Sequence, residues 1–253
     1  MSLQLTNFFA SRGYLNNITT YRLSNLDLLT ARQALQHDVD AFLVNGLISL
    51  SSAMTSLRKN SYSWTFIQVY YSIFYLARAF NGINDYAVVY KDSKPYGIKI
   101  QPTERFTKLK GNSHDVVLTQ FKTYLSSDVL LANTIESISP IDWFNQKRNL
   151  INYTLNPQTD PNPPLDLFQY GTGLRKWLGT YFSDTHHIYT FDPSHCYFAY
   201  PLQLFSRIFQ YYSENNLKVQ CLDEEKIDFF RANFSDHNGS ISLMLAKVLE
   251  LSN

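Results

Sequence analysis

The stretch Trp64-Thr-Phe-Ile-Gln-Val-Tyr-Tyr-Ser-Ile-Phe-Tyr-Leu-Ala-Arg-Ala-Phe80 is apolar or aromatic on nearly every side of a helix. A surface helix shows one apolar stripe, whereas a helix greasy all round is central in its bundle or shared with a partner chain. Ser61 or Ser63 is placed to open it, and Gly82 to close it as a C-terminal residue. Ser72 and Arg78 interrupt its longest apolar run. No stretch of the chain reaches the roughly 18 apolar residues that a spanning helix needs. The start, Met1-Ser-Leu-Gln-Leu-Thr, has neither a basic region nor an apolar core of a secretory signal. A cytoplasmic chain without membrane contact is expected.

The flanking segments extend this to a mostly α fold. From Leu26 to Arg58, residues Leu28, Leu35, Val39, Phe42, Leu43, Leu47 and Leu50 recur at helical steps. They predict one long helix or two meeting near Gly46, where glycine costs about 1 kcal/mol against alanine. Residues 1–25, rich in Asn and Ser, read as an irregular arm. Between 85 and 101 the period changes to that of strands, and Tyr86–Tyr90 with Gly97–Ile100 predict a β-hairpin inserted between helices. Helical spacing resumes after Ser113, and a short helix is expected over 128–137. Ser139-Pro140 starts another helix, expected to run to about Leu155. Residues 157–164, with four prolines, form an expected linker. Helices at about 165–183, 196–214, 222–234 and 240–251 make a C-terminal extension.

Charge and motifs narrow the function. Lys and Arg number 22 against 21 Asp and Glu, so no global field draws the chain to nucleic acid or anionic membrane. Two cysteines, Cys196 and Cys221, exclude a disulfide scaffold or a four-thiolate zinc site. No phosphate-binding glycine loop, HExxH helix or GxSxG elbow occurs. His186, His187 and His195 lack the spacing of metal ligands, and neighbours such as His195 and Cys196 rarely aim at one another. No metal and no cofactor is expected.

The helix from Pro140 differs in composition. Asn145, Asn149 and Tyr153 stand at i, i+4 and i+8, and would line one stripe of a straight α-helix, with Arg148 and Asn152 beside it. Arginine, amides and a phenol together form a donor-rich surface suited to phosphate or an RNA backbone. An ordinary solvated or interhelical polar face fits the same residues.

Three pieces together resemble the HEPN superfamily, helical bundles of bacterial toxin–antitoxin and antiphage defence systems. The segment Val69-Tyr70-Tyr71-Ser72-Ile73-Phe74-Tyr75-Leu76-Ala77-Arg78-Ala79 is similar to that family's Tyr-Tyr-x-x-Phe-x-x-Ala-x-Ala helix. Ser113-His114-Asp115-Val116-Val117 with Phe121 is similar to its Ser/Thr-His segment, and Arg148-Asn149-Leu150-Ile151-Asn152-Tyr153 lies where active members carry Arg, a polar residue and, further on, His. The resemblance covers residues 26–156. It implies a HEPN-like bundle, a homodimer, and metal-independent RNA cleavage (an antiviral ribonuclease activity) at the cleft between two such helices. Arg148, Asn149, Tyr153 and His114 would then be the catalytic set, and Lys147, Asn145 and Asn152 the RNA-binding residues, with Lys108 and Lys110 adding to the patch.

Tyr153 stands in the place of the family's histidine. A phenol with a pKa near 10, against about 6.5 for imidazole, is a poor base at neutral pH. His114 replaces the missing imidazole only if it packs against the Pro140 helix. The alternative is a non-catalytic HEPN-like dimerisation or scaffold module of a larger complex, with a protein encoded beside it as a candidate partner. A chain with 18 Tyr and 18 Phe suits large interfaces. An unrelated all-α protein holding a small ligand between helices is the third reading.

Overall fold

The computed structural model describes residues 3–154, 160–162, 167, 170, 173–236 and 239–252. It is mostly helical. In chain order the helices are α1 (Gln4–Ser11), α2 (Leu28–Arg58), α3 (Tyr62–Ile83), α4 (Ser113–Tyr124), α5 (Pro140–Asn149), α6 (Leu174–Phe182), α7 (Cys196–Glu214), α8 (Glu224–Asn233) and α9 (Ser242–Leu251). An antiparallel sheet β1 (Tyr86–Lys91), β2 (Lys94–Lys99) and β3 (Thr107–Lys108) lies between α3 and α4, and β4 (Ser235–Asp236) pairs with β5 (Gly239–Ser240). The expected hairpin is therefore two strands of a three-stranded sheet. The expected helix over 128–137 is instead one 3-10 turn, Val129–Leu131, followed by a tight reversal in which Ile135 and Ile138 exchange backbone hydrogen bonds at 2.9 Å.

Helices α2 and α3 form an antiparallel hairpin whose closeness depends on two glycines. Gly46 does not break α2, which is continuous from Leu28 to Arg58. A Cβ there would lie 2.8 Å from the Leu76 side chain of α3. Gly82 likewise lies inside α3 rather than ending it, and a Cβ on it would come 2.3 Å from Val39 Cγ2. Helix propensity alone counts against Gly46, but the backbone approach decides its identity.

Around this hairpin α3 is central. It packs on α2, α4, α5 and α7. Val69, Ile73, Leu76, Ala77 and Ala79 are fully buried in it. Its N-terminus is capped from a distance, since Asp160 Oδ1 accepts from the Tyr62 and Ser63 amides at 2.9 and 3.2 Å, while Ser61 makes no side-chain cap. Apart from residues 160–162, the expected linker 157–164 lies outside the described residues. The helices beyond it pack back on the bundle, α7 against α3 and α8 against α2.

Two buried carboxylates on α2 tie down both ends of the chain. Asp38 accepts from the Gln4 and Leu5 amides at 2.7 and 3.1 Å, satisfying donors of the first turn of α1. The arm expected to be irregular thus contains a helix that buries Leu5 and Phe9. Asp40 accepts from Tyr212 Oη of α7, from Gln36 Nε2 at 3.0 Å and from the Gln220 amide at 3.0 Å. The tyrosine-rich core is reconciled with burial in the same way. Tyr200 Oη, for example, donates to the Leu130 carbonyl at 2.9 Å.

Gly82→Ala is expected to lower stability by about 1–3 kcal/mol through overpacking, despite the gain in helix propensity. Adding Val39→Ala to Gly82→Ala should recover part of that loss. Urea unfolding of the single and double variants measures both, and a single variant as stable as the parent contradicts the close-approach account.

Candidate functional site

The first turn of α4 is built by Asn112. Its Oδ1 accepts from the His114 and Asp115 amides, both at 3.0 Å, and its Nδ2 donates to Asp115 Oδ2 at 2.6 Å. This N-cap fixes the helix start and with it the place of His114. The imidazole then lies among rings of α3, with centroids 4.2 Å from Phe74, 5.6 Å from Tyr71 and 5.7 Å from Tyr70. His114 Nδ1 and Tyr70 Oη are 3.3 Å apart. If Nδ1 donates, Nε2 keeps the free lone pair; if Tyr70 donates, Nε2 carries the proton.

Arg148 reaches the same tyrosine from α5. Its guanidinium carbon lies 5.0 Å from the centroid of the Tyr70 ring, and Nη1 donates to Asn149 Oδ1 at 3.3 Å. Nε is buried with no hydrogen-bond partner. No ion pair involves Arg148 among the described residues, while the Asp115 carboxylate acts on the same Tyr70 and His114. His114 packs on the rings of α3 rather than on α5, and His114 and Arg148, on different helices, meet on Tyr70.

The electrostatics agree with this geometry. Burial, reinforced by the positive charge of Arg148, holds the His114 pKa below its ordinary 6.5. Burial raises the Tyr70 phenol to about 12, an effect that Arg148 partly offsets. At neutral pH the cluster therefore presents an uncharged imidazole, a protonated phenol and a guanidinium, with the Asp115 carboxylate acting on the first two. Such a set accepts a proton at one point and binds an anion at another, without a metal ion.

The remaining expected residues divide. Asn149 is exposed beside Arg148. Lys147 turns away, its Nζ 4.8 Å from the Trp143 ring, where Trp143 Nε1 donates to Glu136 Oε2 at 2.7 Å. Asn145 is half-buried on α5. Helix α5 ends at Asn149, and Leu150–Thr154 continue as a π-helix, so the Asn145, Asn149, Tyr153 spacing does not form one α-helical stripe. Asn152 is exposed on that turn. The side chain of Tyr153 lies outside the described residues. In the sequence Tyr70, Tyr71 and Phe74 carry the aromatic-helix resemblance but no site role, yet their rings are what place the imidazole.

In the second group of histidines, His195 is enclosed by aromatic residues. His195 Nδ1 is 2.8 Å from Tyr181 Oη, Tyr170 Oη donates to the His195 carbonyl at 3.0 Å, and Trp177 lies 4.6 Å from the imidazole. Cys196 is buried and its thiol points to the Pro193 carbonyl, so His195 and Cys196 form no nucleophilic pair. Among the described residues no group of three or more His, Cys, Asp or Glu is placed to hold a metal ion, and no helix is long and apolar enough to cross a membrane.

The titration of His114 reports on this cluster directly. Its imidazole is expected to titrate below 6.5, and Arg148→Gln should move the midpoint upward by removing the nearby positive charge. A pH series of the imidazole carbon–proton resonances measures both; a midpoint indifferent to Arg148→Gln would separate the two side chains. No family model, curated protein or solved structure matches the chain.

Proposed function

We propose that the chain is a HEPN-like, metal-independent ribonuclease of a bacterial defence or toxin–antitoxin type system. The observation that supports this reading most is the meeting of His114 and Arg148 on Tyr70. In the reaction, neutral His114 takes the proton of an RNA 2′-hydroxyl. The 2′-oxygen bonds to phosphorus, the bond to the 5′-oxygen breaks, and that oxygen leaves with the proton that the His114 imidazolium gives back, directly or through water. The products are a 2′,3′-cyclic phosphate and a 5′-hydroxyl. Arg148 offers its guanidinium to the phosphate as negative charge builds, and Asn149 orients it. His114, rather than Tyr153, supplies the imidazole that the Arg148 segment lacks.

The active form in this reading is a homodimer. Trp64, Gln68, Tyr71 and Tyr75 fall on one stripe of α3, and Trp64 is 57% exposed. Tyr71 on that stripe touches His114, so a second copy laid on it would bring two His114–Arg148 pairs to one cleft. The same stripe, half-buried except at Trp64, supports the second reading, a non-catalytic dimerisation or scaffold module.

The two readings part in an RNA cleavage assay with EDTA present. Parent protein should cleave, and Arg148→Ala should lower the rate by about 100-fold or more, the scale for losing one donor to a developing oxyanion. Cleavage unaffected by Arg148→Ala removes the site assignment. Cleavage by neither protein favours the scaffold reading.

A further inference from the structure

We infer that one end of the β1–β2–β3 sheet is a phosphate track that delivers single-stranded RNA to the His114–Arg148 site; the inference rests on the ribonuclease reading above. Between Tyr86 and Lys110 the chain carries Lys91, Lys94, Lys99, Arg105, Lys108 and Lys110 against Asp92 and Glu104, a local net of +4 in a chain whose total is +1. The neutral overall balance therefore conceals a concentrated basic region.

The sheet register lines these charges up. Lys91 is the cross-strand partner of Lys94, joined through Asp92 and Ser93, both at positive φ (49° and 61°). Tyr96 pairs with Lys108, and the Leu109 amide donates to the Pro95 carbonyl at 3.0 Å, which carries the register on and brings Lys110 alongside Lys94. Directly opposed residues share a face of a sheet, so Lys91, Lys94 and Lys110 form a row, with Lys108 two residues away on the same face. Lys94, Lys108 and Lys110 are exposed. Lys91 Nζ donates to the Asn16 carbonyl at 3.1 Å. None of the four makes an ion pair among the described residues. On the same connection Arg22 bridges to Arg105, a second pair of like charges face to face.

Like charges placed directly opposite each other weaken a sheet. Here two such pairs occur, neither with an ion pair among the described residues, which is an arrangement a bound polyanion would offset. The track is continuous with the site. Only Gly111, Asn112 and Ser113 separate Lys110 from His114, a span of at most about 14 Å of chain. Gln120 of α4 donates to the Ala87 carbonyl of β1 at 3.3 Å, tying helix and sheet together. No large apolar side chain is exposed between Tyr86 and Lys110, so the row has nothing to insert into a bilayer. These features favour a nucleic-acid strand over a membrane surface.

The test is the salt dependence of binding to a fluorescent single-stranded RNA carrying a 2′-deoxy block against cleavage. Each phosphate that the protein no longer neutralises takes about 0.7 off the slope of log K against log salt. The triple variant Lys94→Gln, Lys108→Gln, Lys110→Gln should therefore reduce the slope by about 2, with its melting temperature unchanged or raised. The triple Lys→Arg variant should match the parent. On cleavable RNA the Gln variant should raise KM and keep kcat, whereas Arg148→Ala lowers kcat. A parental slope in the Gln variant overturns the track while leaving the Arg148 result to judge the site. Binding to phosphatidylserine vesicles in place of RNA overturns the choice of partner.

Discussion

Helices α2 and α3 lie so close that a Cβ at Gly46 or Gly82 would fall 2.8 or 2.3 Å from the facing side chain, and this contact organises the rest of the bundle. Because α2 covers one side of α3 tightly, the remaining apolar faces of α3 are left to α4, α5 and α7. The all-round greasiness of Trp64–Phe80 is thus explained by neighbours on most sides rather than by a membrane. The carboxylates Asp38 and Asp40 use the same rigid α2 to anchor α1 and α7, so elements at opposite ends of the chain refer to one helix. Burying each charge is tolerable because each accepts more than one hydrogen bond.

The candidate site is a consequence of that packing. Tyr70 and Phe74 face α4 and α5 only because α2 and α7 occupy the other sides of α3. Their rings give His114 an apolar seat that keeps it neutral, and Tyr70 offers a face to Arg148. The half-buried imidazole lies within reach of the Arg148 charge, which lowers its pKa, and of the Asp115 carboxylate, which acts the other way.

Where local pattern decides structure, the sequence is readable. Helix α7 spans Cys196–Glu214 as its apolar steps predict, and the Ser139-Pro140 start is present, with Ser139 Oγ accepting from the Asp142 amide. Where distant contacts decide, it is not. The eight residues of α1 carry no N-cap of their own, and the Asp38 oxygens that receive its amides come from a helix more than thirty residues on. Gly46 leaves one helix or two open in the sequence, because propensity is local and the Leu76 contact is not. The π-helix after Asn149 carries no composition signal, and it undoes a spacing argument that assumes a straight α-helix. The site itself is half legible. Arg148 and His114 each stand out by residue type and place, but their meeting depends on Tyr70, a residue that reads as core.

That meeting is also the point most open to direct measurement. In isotope-labelled protein, the His114 ring protons should be shifted upfield by the Phe74 and Tyr70 rings and should show nuclear Overhauser contacts to both. Addition of a 2′-deoxy-blocked RNA oligonucleotide should move those resonances in the parent and move them less in Arg148→Ala. Ring protons at ordinary positions, without contacts to Tyr70 and indifferent to the oligonucleotide, would contradict the account.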